Sequence, residues 1–195
     1  MKYSIKTEHL PEKVFLVVKG LGFMYDSDYT PKVNPEEDTW GIIQRQLSDG
    51  TVERLKKNAG SEIVYMLFCN TCVRNDGEKR YDVSYDIACE YISGSEIADG
   101  FAIIRLKPCE YAVFDCDFDG GYSLSGAHEK PDEIFWGEWL KANPYTSEID
   151  NPAHWLGNGY ASIELYTPLD LNAEKFNAKI WYPIKRTDEN NSTMI

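Results

Sequence analysis

A regular alternation of apolar and polar side chains in residues 81–92 is the feature that most constrains how this chain can fold. One face of the extended segment carries Tyr81, Val83, Tyr85, Ile87 and Cys89. The other face carries Asp82, Ser84, Asp86 and Glu90. A period of two residues is typical of an antiparallel strand that buries one face and leaves the other solvated. The sequence therefore predicts an antiparallel sheet in which this strand is half-buried.

The elements predicted in the first half of the chain follow the order strand, helix, strand, strand. An apolar run predicts a strand at 13–20, and a polar segment with two prolines predicts a loop at 23–37. Helical spacing of apolar residues predicts a helix over 38–57, which is either continuous or broken at Ser48-Asp49-Gly50. A second apolar strand is predicted at 61–70, before the alternating strand.

The second half of the chain repeats this order at a period of about 95 residues. A strand or strand pair is predicted at 101–118, a helix at 131–143, and strands at 161–168 and 175–186. We therefore predict an α+β fold that is a pseudo-symmetric duplication of a β-α-β-β unit, with an antiparallel sheet and a central ligand cleft where the two units meet.

The chain length of 195 residues fits one domain, which we expect to span residues 1–190. Repeat one covers about 1–95 and repeat two about 100–186 in this prediction, and we expect the polar tail at 187–195 to be disordered. No apolar run approaches the ~20 residues of a membrane span, and the N-terminus lacks the apolar middle of a signal peptide. The five cysteines then read as free thiols in a reducing compartment, which predicts a cytoplasmic protein.

The charge balance excludes several classes of partner. The chain has 32 acidic and 20 basic side chains, for a net charge of −12. Such a body repels phosphate backbones and anionic membranes, so we expect no direct binding of nucleic acid and no membrane association. Cations, neutral small molecules and basic proteins are the partners that remain. The sequence leaves open a homodimer or another protein partner.

Glu164 is the candidate charged residue of a binding site. It lies within Ala161-Ser162-Ile163-Glu164-Leu165-Tyr166, a segment apolar enough for an interior strand. Strand parity places it with Ser162 and Tyr166, opposite Ile163 and Leu165. A buried carboxylate needs a partner, and a cationic ligand among aromatic rings would supply one. The alternative is that this face is solvated and Glu164 is an ordinary surface residue.

Aromatic residues are abundant, at 13% of the chain, and exceed what a core of this size requires. Trp136 and Trp139 lie three residues apart on a predicted helix, and Trp155 lies in a later loop. Such rings either pack in the core or line a ligand cleft.

No other motif predicts a metal or cofactor site. Cys69-Asn70-Thr71-Cys72 lies at a strand end rather than at a helix N-terminus, and no second ligand pair accompanies it. Asp115, Asp117 and Asp119 alternate before a glycine pair, which predicts a solvated turn rather than a calcium loop. The three histidines have no metal-ligand spacing, so we expect neither a metal nor a cofactor.

Several segments, in order along nearly the whole chain, carry a resemblance to a known family. They are residues 5–14 for an opening strand, 81–89 for the alternating strand, 106–114 for the start of the second repeat, Trp139-Leu140 in the second helix, Ile163-Glu164-Leu165-Tyr166, and 180–185 for the closing strand. The chain resembles the GyrI-like small-molecule-binding family, also called the AraC-type effector-binding domain. It departs from the family's pattern at Cys109, where glycine is usual, and in longer segments at 118–131 and 144–159.

The resemblance implies a stand-alone effector-binding domain without a helix-turn-helix, related to the ligand domains of transcription regulators. In multidrug-sensing members the glutamate of the matching strand meets cationic aromatic compounds at the cleft base, a role that carries onto Glu164. We expect the surrounding rings to include Tyr85, Trp136, Trp155 and Tyr166.

Two other functions stay open at this point. One is a hydrolase with Glu164 as the catalytic carboxylate. The other is a protein-interaction role, such as gyrase inhibition, in which the acidic surface is the active part.

Overall fold

The strands and helices follow one another in two series, one in each half of the chain. The structure, a computed structural model, describes residues 1–18, 22–25, 39–70, 81–92, 94, 96–148 and 159–187. The first series comprises β1 (Lys2–Leu10), β2 (Lys13–Val18), β3 (Gly22–Tyr25), α1 (Thr39–Ser48), α2 (Thr51–Ala59), β4 (Val64–Asn70) and β5 (Tyr81–Glu90). The second comprises β6 (Phe101–Leu106), β7 (Cys109–Asp119), α3 (Glu129–Ile134), a π-helical stretch (Phe135–Trp139), α4 (Leu140–Ala142), β8 (Tyr145–Ser147), β9 (Ser162–Thr167) and β10 (Lys175–Arg186). A short 3-10 turn at Leu124–Gly126 precedes α3.

Within the described residues, ten strands form one antiparallel sheet. Eight of them follow the order β1-β7-β10-β9-β4-β5-β2-β6. In addition, β3 pairs with the first part of β5, and β8 pairs with the end of β10. The two halves of the chain join where β4 pairs with β9, with Met66 opposite Glu164 and Phe68 opposite Ser162. The centre of the sheet therefore belongs to both halves.

Two short connections show that the sheet is strongly curled. Strand β1 lies at one end of the strand order and β2 near the other, yet only Pro11 and Glu12 connect them. Lys107 and Pro108 connect β6 to β7 in the same way. Because a two-residue link spans no more than about 11 Å, the two ends of the sheet must lie side by side. Leu10 and Leu106 accordingly pack in one cluster.

Each face of the sheet has its own apolar core. On the face that we call the helix face, strand residues pack against the helices; this core includes Leu16, Ile43, Leu55, Met66, Ile87, Phe114, Phe135 and Ile180. The second face buries Phe15, Leu67, Ala88, Val113, Ile163 and Trp181. A fully buried side chain of this size contributes about 1.5–3 kcal/mol to folding, so both faces contribute substantially to stability.

The helix predicted over 38–57 is broken at Gly50. This residue has φ 82°, a left-handed conformation that favours glycine, and it separates α1 from α2. The Asp49 carboxylate accepts a hydrogen bond of 2.8 Å from the Thr51 backbone N–H, which satisfies one of the free donors at the start of α2. Gly60, with φ 74°, ends α2, and its N–H donates to the Lys56 carbonyl.

Most predicted elements are present, and three expectations need correction. The α+β class and the antiparallel sheet are confirmed, and the segment 101–118 forms two strands, β6 and β7. The loop predicted at 23–37 is wrong at its start, because β3 pairs with β5 there. The half-buried interpretation of 81–92 is also wrong, because Asp86 is only 6% exposed in a strand flanked by β4 and β2. Asp115, Asp117 and Asp119 lie on strand β7, not in a turn.

The duplication of a β-α-β-β unit, the domain limits and the central cleft remain predictions. Within the described residues, the strand order offers a pattern consistent with a duplication, since β2, β4 and β5 lie on one side of the centre and β7, β9 and β10 on the other. The tail at 188–195 lies outside the described residues.

Gly159→Ala tests the closure of the curled sheet. The carbonyl of Gly159 accepts a hydrogen bond of 2.7 Å from the Lys107 N–H, and its φ is 82°. An added Cβ would lie 3.1 Å from the Arg105 carbonyl oxygen. Gly50→Ala is the matched control, since it has the same φ but no atom within 4 Å of the added Cβ.

We expect Gly50→Ala to lower the free energy of unfolding by about 1–2 kcal/mol, the cost of the left-handed backbone. Gly159→Ala should lose a further ~1–3 kcal/mol because the backbone contact must also give way. Urea denaturation of the two variants measures the difference. Equal losses would show that the Gly159 contact does not constrain the closure.

Candidate ligand-binding site

The site is built around Glu164 in the middle of the helix face. Strand β9 is an interior strand, and Glu164 stands opposite Met66 of β4 on one side and Ile180 of β10 on the other. Its side chain is only 5% exposed. The parity predicted from the sequence is confirmed, because Tyr166 packs in the core of the helix face while Ile163 packs on the second face. The alternative of a solvated Glu164 is therefore wrong.

Two tyrosines hold the Glu164 carboxyl group. The hydroxyl of Tyr166 donates a hydrogen bond of 2.7 Å to Oε2, and the hydroxyl of Tyr85 on β5 donates to the same oxygen. Phe68 of β4, which lies beside Tyr85 in the sheet, contacts the Tyr85 ring edge-on at 6.3 Å. The other carboxylate oxygen, Oε1, has no hydrogen-bond donor among the described side chains.

Burial is the largest influence on the pKa of Glu164. Loss of water raises the pKa of Glu164, and the hydrogen bonds from Tyr85 and Tyr166 offset this only in part. Burial also raises the pKa of both tyrosines well above the usual value, with the nearby Glu164 charge as the second cause. Burial thus favours the neutral form of both the phenols and the carboxyl group.

A second carboxyl–phenol pair lies on the same face. The Tyr182 hydroxyl on β10 donates to the Asp132 carboxylate on α3 over 2.5 Å. The Tyr182 ring stacks on Phe135 with 4.1 Å between centroids. Burial raises the pKa of Asp132, and a neighbouring His128 charge acts to lower it. The same His128 charge lowers the pKa of Glu164, so the two pairs lie within one electrostatic environment.

The structure brings together three of the five predicted site residues. Glu164, Tyr85 and Tyr166 form one hydrogen-bonded group. Trp136 is partly buried, and its ring contacts Phe135 edge-on at 4.8 Å. Trp155 lies outside the described residues. The roles of these residues in binding remain predictions.

Sequence reasoning missed Asp132, Tyr182 and His128. Tyr182 lies in an apolar run, and Asp132 lies in a charged first turn of a helix, where such residues are common. The usable signal was the parity of Tyr182 with Ile180, which places it on the face of β10 that adjoins Glu164.

The arrangement can bury a positive charge but offers no metal centre in the described part of the chain. There, no group of three or more His, Cys, Asp or Glu side chains has a geometry that could hold a metal ion. Cys89, Cys109 and Cys116 are free and buried, and burial raises the pKa of each thiol to about 12, so they are not nucleophiles near neutral pH. None of the described helices is both long and apolar enough to cross a bilayer.

The raised pKa of Glu164 predicts how stability depends on pH. The folded protein binds this proton more tightly than the unfolded chain, so the stabilisation is complete below the ordinary pKa of 4.5 and is lost as pH rises through the folded value. Glu164→Gln keeps an acceptor for the tyrosines but carries no titrating group. We expect the free energy of unfolding of the wild type to fall relative to that of Glu164→Gln between about pH 5 and pH 8.

Urea denaturation across this pH range measures the effect. Glu174→Gln, which changes an exposed glutamate, is the control and should follow the wild-type profile. Parallel profiles for wild type and Glu164→Gln would contradict the raised pKa.

Comparison with known proteins rests on structure alone. No family model matches the sequence, and no curated protein matches it either. The structure of SAV2435 bound to tetraphenylphosphonium is similar, with a TM-score of 0.60 and 21% identity, and the alignment covers 98% of both chains.

Two further solved structures are similar over nearly the full length. The EcmrR C-terminal domain gives a TM-score of 0.55 at 14% identity, with 95% of this chain and 99% of that chain covered. A protein from Staphylococcus aureus MU50, provisionally assigned to bacterial transcription regulation, gives 0.54 at 21% identity, with 95% and 99% covered. The chain thus shares the fold of SAV2435 and of the EcmrR C-terminal domain.

Proposed function

We propose that this protein binds hydrophobic organic cations in the site around Glu164, as a sensor or effector-binding domain. The observation that carries the proposal is a buried carboxyl group that is held only by neutral hydrogen-bond donors among the described residues. In the described residues no lysine or arginine forms an ion pair with Glu164, and its hydrogen bonds come from neutral phenols. A buried carboxylate is costly without a cationic partner, and a ligand can supply that partner.

The surroundings of Glu164 favour an organic cation with aromatic or apolar groups. The Tyr85 and Tyr166 rings flank the carboxyl group, and the Tyr166 ring contacts Phe176 at 6.3 Å. Ring faces attract cations by about 0.5–2 kcal/mol per contact, and apolar surface adds about 25 cal/mol per Å² that it buries. The net charge of −12 would also raise the rate at which cations meet the protein.

The structural comparison supports the same ligand class. The SAV2435 structure was determined with tetraphenylphosphonium bound, and its fold matches this chain over 98% of the length. At 21% identity the likeness establishes the fold, so the ligand class enters here as part of the proposal.

Tetraphenylphosphonium and tetraphenylborate make a sharp pair of probes, because they have almost the same size and shape but opposite charge. We expect the wild type to bind the phosphonium and to reject the borate. Glu164→Gln should weaken phosphonium binding at least about tenfold, which corresponds to about 1.4 kcal/mol, because the counter-charge is lost. Isothermal titration calorimetry measures both probes.

Glu174→Gln removes one exposed negative charge and should leave the affinity unchanged, which separates the local effect of Glu164 from the net charge. Binding of both probes with similar affinity would contradict a charge-selective site. Failure of the folded wild type to bind either probe would contradict the proposed function.

Cation binding should strengthen as pH rises. The phosphonium charge does not titrate, whereas the raised pKa of Glu164 means that the carboxyl group must lose a proton when the cation binds. We expect the affinity of the wild type to increase between about pH 5 and pH 8, with proton release detectable as buffer-dependent heats in calorimetry. In Glu164→Gln the slope should be much reduced. A wild-type affinity that does not change with pH would contradict this prediction.

A further inference from the structure

The pair formed by Asp132 and Tyr182 has no role in the binding of a single positive charge by Glu164. Ile180 of β10 stands directly opposite Glu164, and Tyr182 lies two residues further along the same strand. The side chains of Glu164 and Tyr182 therefore both project from the helix face, as diagonal neighbours on adjacent strands. Such neighbours have a backbone separation of about 7–8 Å.

The packing of α3 directs the Asp132 carboxyl group toward the sheet. Its carboxylate accepts the Tyr182 hydroxyl at 2.5 Å, and the π-helical stretch that follows places Phe135 flat on the Tyr182 ring, at 4.1 Å and 10°. The Phe135 side chain is fully buried. Asp132 is thus fixed above β10 by one hydrogen bond and one stacked ring pair next to it.

The charged group of each pair shifts pKa values in the other pair. The Asp132 charge raises the pKa of both Glu164 and Tyr166, and the Glu164 charge raises that of Tyr182. Among the described groups that act on the two carboxyls, Glu129 raises the pKa of Asp132, and His128 lowers the pKa of both Asp132 and Glu164.

We propose that Asp132 is a second counter-charge of the same site, and that the site prefers aromatic ligands with two positive centres to those with one. The proposal rests on the proposed function, since it assigns Glu164 to the first positive centre and Asp132 to the second. The aromatic spacer of the ligand would span the distance between the two carboxyl groups. Bis-quaternary ammonium and bis-amidinium compounds with a rigid aromatic spacer belong to this class.

The test uses two probes that differ by one charge: biphenyl with a trimethylammonium group at one end, and biphenyl with such a group at each end. Calorimetry at fixed ionic strength gives the affinity of each probe for the wild type and the variants. We expect the wild type to bind the dication at least about tenfold tighter than the monocation. Asp132→Asn should abolish this preference.

Glu164→Gln should weaken both probes, because it removes the partner of the first positive centre. Glu138→Gln changes an exposed glutamate in the same helical segment and should leave the preference intact. Tyr182→Phe is a second test should Asp132→Asn fail to fold, because it keeps the ring stack and removes the hydroxyl that occupies Asp132. We expect Tyr182→Phe to retain or increase the preference for the dication.

The outcomes separate the two proposals. Equal affinity of the wild type for both probes, or equal weakening of both by Asp132→Asn, would overturn the role of Asp132 while monocation binding still supports the proposed function. Loss of the preference in Tyr182→Phe would also overturn it, since the carboxyl group is still present. A wild type that binds neither biphenyl probe nor tetraphenylphosphonium would overturn the proposed function itself.

Discussion

The structure places a carboxyl group at the centre of an apolar sheet face, and the properties of the site depend on this one constraint. Glu164 is 5% exposed, and burial raises its pKa in spite of two phenol donors. Hydrogen bonds from neutral hydroxyls stabilise the ionised form, but they do not replace the charge compensation that a cation would give. The group can therefore satisfy its environment in two ways, by holding a proton or by facing a positive charge. The proposed ligand is the second of these.

The site depends on long-range topology rather than on any local motif. Tyr85 and Glu164 are 79 residues apart in sequence, and Asp132 and Tyr182 are 50 apart. The β4–β9 pairing brings the first pair together, and the packing of α3 on the sheet brings the second. The curl of the sheet, imposed by the two-residue links at Pro11-Glu12 and Lys107-Pro108, leaves the helices on one face with the site. A change that loosens the β4–β9 pairing would separate Tyr85 from Glu164 without altering either residue.

Strand parity explains what the sequence could and could not predict about the site. Alternation within β9 correctly assigned Glu164 and Tyr166 to one face, and alternation within β5 put Tyr85 on its apolar side. The same alternation wrongly predicted that Asp86 is exposed, because a pattern within one strand does not reveal what covers its other face. Here the second core, with Leu67 and Ala88, covers that face. The pairing of Tyr182 with Asp132 could not be predicted from the sequence for a different reason. Their pairing depends on the register of β10 against β9 and on how α3 sits on the sheet, and neither is encoded within a few residues.

The exclusion of water from the site, rather than its negative charge, would determine which cations it binds. A small inorganic cation is strongly hydrated, and it would have to exchange its water for a single buried carboxyl group and a set of ring faces. An organic cation spreads its charge over a larger surface and is weakly hydrated, so it loses little on entry and gains apolar contact. The phenols reinforce this selection because their hydroxyls are already directed at Oε2 of Glu164 and do not need to reorient when the carboxyl group ionises. Under the proposed function, the tyrosines around the Glu164 carboxyl group would favour bulky organic cations over inorganic ions, even where the latter are far more abundant.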